Sequence, residues 1–227
     1  MPIINSTFRV LDGFPQESNR SRAQEIIDWF KDRLENGFML IDLPIDADRI
    51  IRPESDVDLS LSSELPEHSF RSDIDYICDR IDLMIADIRS QLDDKLKDTS
   101  FHSISIHCSE HNVGDDDPSE IDSLVPDPTV GFHTDFGSER ILLAFGDVAQ
   151  TECVLGAIEV DSLDDNWKEQ DDVIDQATRS AVVGGHASIH PIPNAIPVLM
   201  SEDTIHQRGK ILCKGFRLLL VLRFKED

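Results

Sequence analysis

Two different spacings of apolar residues divide this chain. In "SRAQEIIDWFKDRLENG", Ile26, Ile27, Phe30 and Leu34 recur at helical steps, which predicts an amphipathic helix stopped by Gly37. "FMLIDLPI" then reads as a short buried strand, and a polar stretch follows from about residue 46 to 69. Beyond it, "SDIDYICDRIDLMIADIRSQLDDKLKD" repeats Ile74, Ile77, Ile81, Met84, Ile85, Ile88 and Leu92 at three- and four-residue steps, predicting a long helix whose apolar stripe packs on the rest of the protein. The first hundred residues are thus expected to form a mainly helical front section. After residue 100 the pattern shortens. "FHSISIHCS", "ERILLAFGD", "CVLGAIEV", "RSAVVGGHASI", "AIPVLM" and "FRLLLVLRF" read as short strands separated by Gly, Pro, Asp and Asn clusters, the pattern of a sandwich or jelly roll. We expect one domain over residues 1–227, with 101–227 as its β core; no internal repeat is evident.

Charge narrows the partners. Forty-five acidic residues against 21 basic ones give a formal net charge of −24, which opposes direct binding to nucleic acid or an anionic membrane and leaves small molecules, amino acids or peptides as expected substrates. "MPIINSTFRVLDGF" lacks a basic start and an apolar block, and runs such as "ILLAF" and "LLLVL" are too short to span a bilayer, so a cytoplasmic protein is expected. The cysteines at 78, 108, 153 and 213 show no paired spacing and read as reduced, mostly buried thiols. No signal for an oligomeric state is present.

The candidate chemistry begins at "GFHTDFGSERILLAF". Residues two apart on a strand share a face, so His133 and Asp135 can offer an imidazole nitrogen and a carboxylate oxygen to one ion. The candidate third ligand is His206, just past "AIPVLM", and two histidines with one carboxylate are the facial set that leaves positions open on iron(II). Eleven residues later Arg217 opens the last strand, where Arg217, Leu219, Val221 and Arg223 share one face. A guanidinium there needs an anion, and its planar fork suits a carboxylate. Ser138 and Glu139 are candidate partners of the ligands. The acidic segment 109–130 runs directly into His133 and reads as a lid.

At these residues the sequence resembles the Fe(II)/2-oxoglutarate-dependent dioxygenases, and within them an uncharacterised bacterial domain family with FHxD and RLLLVLxF segments. The matching stretches are "FHTDFGSERILLAFGDVAQTE", "IPVLMSEDTIHQRG" and "FRLLLVLRF", while "GDVAQTEC" departs from that family's glycine-rich form. The resemblance implies an α+β fold, a double-stranded β-helix (jelly roll, cupin-like) with N-terminal supporting helices. It makes His133, Asp135 and His206 the iron(II) ligands and Arg217 the anchor of the 2-oxoglutarate carboxylate, with Arg140 and Arg208 as neighbours that could compete for that role, Arg208 being expected rather at the surface. It further implies oxidative decarboxylation of the keto acid coupled to hydroxylation of a C–H bond; the presence of Asp135, where a small residue would free a position for halide, argues against halogenation.

Two other classes fit some of the same residues. His186 and His190 in "GGHASIHP", with His133, could serve a zinc hydrolase, although the flanking glycines and proline oppose a helix there. His102, His107 and His111 show no regular metal spacing. A non-catalytic acidic module that binds a protein is the third class.

Overall fold

The computed structural model describes residues 2–31, 38–52, 71–93, 96, 99–112, 131–135, 139–160 and 171–225. The expected Gly37 stop, most of the polar stretch, the bulk of the 109–130 segment and Ser138 lie outside them. The helices are α1 (Gln16–Lys31), α2 (Arg71–Arg89) and α3 (Asp171–Val183). The strands are β1 (Ile3–Ser6), β2 (Phe8–Val10), β3 (Phe38–Asp46), β4 (Arg49–Ile50), β5 (Phe101–His111), β6 (His133–Thr134), β7 (Arg140–Phe145), β8 (Thr151–Glu159), β9 (Ala187–Ile192), β10 (Val198–Met200), β11 (Ile205–Arg208) and β12 (Gly215–Phe224).

They form two antiparallel sheets. The larger has the order β2-β10-β7-β12-β5-β3-β4; the smaller runs β1-β8-β11-β6, with β9 on the other edge of β8. Alternation in β12 explains the layering. Leu218, Leu220 and Leu222 are buried against the stripes of α1 and α2, with Ile26, Phe30, Ile81 and Ile85 in the same core. The opposite phase, Arg217, Leu219, Val221 and Arg223, faces a cavity between the sheets. Burying four fully enclosed isoleucine or methionine side chains of α2 contributes on the order of 1.5–3 kcal/mol each, which is what holds the helix to the sheet.

The smaller sheet has a junction. β8 pairs β11 through Thr151 to Cys153 and β1 through Gly156 to Glu159. Ser6, fully buried at the end of β1, bridges the gap: its hydroxyl donates to the Val154 carbonyl at 2.7 Å and accepts from the Ile205 amide at 2.9 Å.

Two expectations are corrected. The front section is not simply a helical support, because β1 joins the smaller sheet while β2, β3 and β4 join the larger. "RSAVVGGHASI" is not one strand: α3 continues to Val183, a turn with Gly185 at φ 75° follows, and only Ala187–Ile192 is extended. The β-branched pair Val182–Val183 suggested a strand, but Ile174, Ala177 and Ala181 keep the helical period and pack on the Phe132, Val154 and Ile205 cluster. Cys78, Cys108 and Cys153 are buried free thiols, and Cys213 is exposed. No helix among the described residues is long and apolar enough to cross a membrane.

Candidate metal centre and its cavity

The short ladder between β6 and β11 sets His206 directly opposite His133. Opposed residues of an antiparallel pair share a face with Cβ atoms about 5 Å apart, so the two rings meet, with centroids 4.5 Å apart and planes at 51°. Asp135, one residue past β6, completes the group. Its Oδ1 lies 3.8 Å from His133 Nε2 and its Oδ2 3.4 Å from His206 Nε2. One ligand atom from each of the three lies within 4.8 Å of the others, the one such His/Cys/Asp/Glu group among the described residues.

Backbone carbonyls choose the tautomers. His133 Nδ1 lies 3.0 Å from the Gly131 carbonyl, and His206 Nδ1 lies 3.3 Å from the Thr204 carbonyl. A carbonyl only accepts, so each Nδ1 carries a proton and leaves Nε2, which faces Asp135, as the nitrogen that can bind a metal. Two imidazole Nε2 atoms and a carboxylate facing one point are a donor set suited to a divalent transition metal.

Burial, reinforced by His206, lowers the His133 pKa to about 4. Burial alone would raise the Asp135 carboxyl, but its contact with His206 and the surrounding positive charge, that of Arg140 included, outweigh it and hold the group below the usual carboxylate range. The buried Arg140 supports Asp135 from behind: its Nη1 lies 3.0 Å from Oδ2, and its Nη2 donates to the main-chain carbonyl of the same residue at 2.6 Å. Arg140 is therefore seated on the Asp135 carboxylate.

The histidine-bearing segments are tied down by residues the sequence did not single out. Asp175 of α3 accepts the Phe132 amide at 2.9 Å and pairs with Arg179 at 2.7 Å, which fixes the entry to His133. The Ser6 bridge holds the Ile205 amide next to His206.

A cavity of about 390 Å³ opens on this group. Arg217, buried in β12, lines it and donates from Nη2 to the Thr151 hydroxyl at 3.0 Å. Thr151 lies two residues before Cys153, the partner of His206 across β8 and β11, so the Arg217–Thr151 pair sits about 7 Å along the sheet from the histidine. Gly146, at φ 98°, lets the chain leave β7 beside this arginine; a Cβ there would lie 2.2 Å from the Phe216 carbonyl oxygen.

His107 lines the same cavity, and burial lowers its pKa to about 4, so it presents a neutral ring. Its signal was in the alternation of "FHSISIHCS", where Ser103, Ser105, His107 and Ser109 share the phase opposite Ile104 and Ile106. Arg208 also lines the cavity, at the Thr151 end. His186 is exposed in the turn before β9, and His190 bonds Ser188 at 2.8 Å; neither joins the His133 group. Glu139 contributes its main-chain carbonyl to the Phe224 amide at 3.1 Å.

No protein-family model matches this sequence, and no curated protein matches it. Several solved structures are similar to it. SnoN, a non-heme alpha-ketoglutarate dependent epimerase from nogalamycin biosynthesis, is 10% identical with a TM-score of 0.50, covering 98% of this chain and 79% of that one. IDO from Bacillus thuringiensis is 11% identical with a TM-score of 0.47, covering 97% and 90%. The Kdo hydroxylase KdoO, a non-heme Fe(II) alpha-ketoglutarate dependent dioxygenase, is 7% identical with a TM-score of 0.45, covering 90% and 75%.

Proposed function

We propose that this chain is an Fe(II)- and 2-oxoglutarate-dependent oxygenase built as a single double-stranded β-helix (jelly-roll) domain, which hydroxylates a small molecule, amino acid or peptide. His133, Asp135 and His206 would hold the iron, and Arg217 with Thr151 would hold the distal carboxylate of 2-oxoglutarate. The observation that carries this reading is the convergence of two carbonyl-oriented imidazoles and one carboxylate on a cavity that also contains a buried arginine. The fold shared with SnoN agrees with it.

When bound, iron(II) and 2-oxoglutarate would supply the oxidising chemistry with dioxygen as the oxidant, one oxygen atom passing to the succinate left as the keto acid loses carbon dioxide and the other to a substrate C–H bond. The chain's own contribution is positional. The Gly131 and Thr204 carbonyls hold the protons on Nδ1 and aim both Nε2 atoms at the metal position, Arg140 keeps Asp135 ionised and aimed, and the Arg217 fork with the Thr151 hydroxyl offers a charged, hydrogen-bonding seat for a carboxylate. The separation of about 7 Å along the sheet between that seat and His206 is one a five-carbon dicarboxylate can bridge.

The test is anaerobic addition of Fe(II) and 2-oxoglutarate, followed by the weak visible metal-to-ligand charge-transfer band. The wild type should show the band, His206→Ala should lose it, and Arg217→Ala should need at least about tenfold more keto acid, the loss of one charge-assisted contact. A folded, iron-loaded wild type without the band overturns the reading.

A further inference from the structure

The cavity is strongly cationic inside a strongly anionic protein. Among its described lining residues, four guanidinium groups, those of Arg140, Arg208, Arg217 and Arg223, face one carboxylate, Asp135. Counted over these lining side chains and leaving the histidines aside, guanidinium groups outnumber carboxylates by three. Iron(II) would add two and the 2-oxoglutarate dianion would remove two, so a loaded cavity keeps its positive excess.

That excess is concentrated at one end. Arg223 lies six residues beyond Arg217 on the cavity face of β12, roughly 20 Å along the strand, so one carboxylate seated at Arg217 does not also neutralise it. Its cross-strand partner is Arg140, and like charges placed directly opposite repel. Arg140 is answered by Asp135. Among the described residues no carboxylate pairs directly with Arg223: its Nη1 donates to the Ser105 hydroxyl at 2.5 Å, and Ser105 in turn donates to Asp42 on β3. The serine relay orients the guanidinium while leaving most of its N–H donors to the cavity.

We infer that the Arg140–Arg223 end of the cavity is a second anion seat, and that the primary substrate is a small molecule carrying a carboxylate or phosphate group which docks on Arg223 and brings its reacting carbon to the metal centre. This rests on the iron and keto-acid sites proposed above. The volume of about 390 Å³ is near the lower end for ligand pockets, which suits a compact substrate beside the keto acid. The overall charge of −24 makes the pocket a local exception, open to a small anion and closed to an extended polyanion.

The test uses the full chain, anaerobically loaded with Fe(II) and 2-oxoglutarate, with acetate and inorganic phosphate as probes and acetamide and glycerol as neutral controls. Thermal midpoint and the charge-transfer band are read against probe concentration at constant ionic strength. An anion should raise the midpoint in the millimolar range, and the neutral controls should not. Arg223→Gln should weaken that response at least tenfold, and Arg223→Lys, which keeps the charge but not the fork, should restore part of it. Whether acetate or phosphate acts more strongly selects between the two oxyanions. The inference is overturned by equal responses to neutral and anionic probes, by no anion response, by Arg223 variants that respond as the wild type does, or by an Arg223→Gln loss of keto-acid affinity as large as that of Arg217→Ala. If the band never forms, the oxygenase reading has failed instead, and the same probes on the metal-free protein still decide whether Arg223 seats an anion.

Discussion

Arg140 grips Asp135 at two points, through the carboxylate at 3.0 Å and through the main-chain carbonyl at 2.6 Å. Only 3% of Arg140 is exposed, so neutralising Asp135 takes the contacting carboxylate from a buried guanidinium that the cavity cannot readily hydrate. Asp135→Asn should therefore abolish iron binding and also destabilise the protein, by about 1–3 kcal/mol because the aspartate is itself partly exposed. The double change Asp135→Asn with Arg140→Met should recover much of the stability and none of the iron. Urea unfolding beside metal analysis of the same samples checks both halves, and additive stability losses would contradict the coupling.

The buried histidines set a pH dependence in the metal-free protein. His107 and His133 have folded pKa values lowered to about 4, against an ordinary value of 6.5. Between those pH values the unfolded chain binds protons that the folded chain refuses, so stability falls as pH drops from 6.5 to 4, by about 1.4 kcal/mol per pH unit for each histidine. His107→Gln should remove one histidine's share of that slope. The difference between wild type and variant in urea midpoints across the window is the measurement, since background effects of the acidic surface cancel in it.

Asp175 belongs to a different element from His133, Asp135 and His206, yet it holds the segment that delivers His133. Asp175→Ala should lower iron affinity about 10- to 100-fold, the range for removing an orienting partner. Asp175→Asn keeps a carbonyl oxygen for the Phe132 amide and should restore most of that affinity while still losing the Arg179 ion pair. Equal defects in both variants would show that helix stability, not the tether, is at stake.

Gly146→Ala tests the seat at Arg217. The methyl group would collide with the Phe216 carbonyl at a backbone angle that side-chain-bearing residues rarely adopt. A loss of about 1–3 kcal/mol in stability is expected, with a raised keto-acid requirement in the charge-transfer titration and little change in iron binding, because the displaced Phe216 carbonyl leads directly into Arg217.

The legible parts of the molecule were those whose pattern is local. The stripe from Ile74 to Leu92 identified α2, and the run from Phe216 to Phe224 identified the strand that carries Arg217 and Arg223 on one face. His133, Asp135 and His206 were readable as a candidate set from residue type and order, and the structure brings them together. Of the shortest strands, β10 was readable in "AIPVLM", and others were not. β1 and β2, with four and three residues, hold their place through partners near the other end of the chain, and β11 likewise owes its form to β6 and β8. Thr151, Asp175 and Ser105 matter only through register and packing across distant segments, so nothing in their neighbourhoods marks them.

The Ser6 bridge has a consequence for the order in which the molecule assembles. It joins residues 199 positions apart, and the strand it secures carries His206. Contacts of such separation form only after long loops have closed, so the local packing of α1 on α2 can be complete while the metal centre is still apart. A refolding chain should accordingly gain most of its helical signal before the Ile205 amide becomes protected from exchange, and competence to bind iron should arrive with that protection, as the closing event of folding.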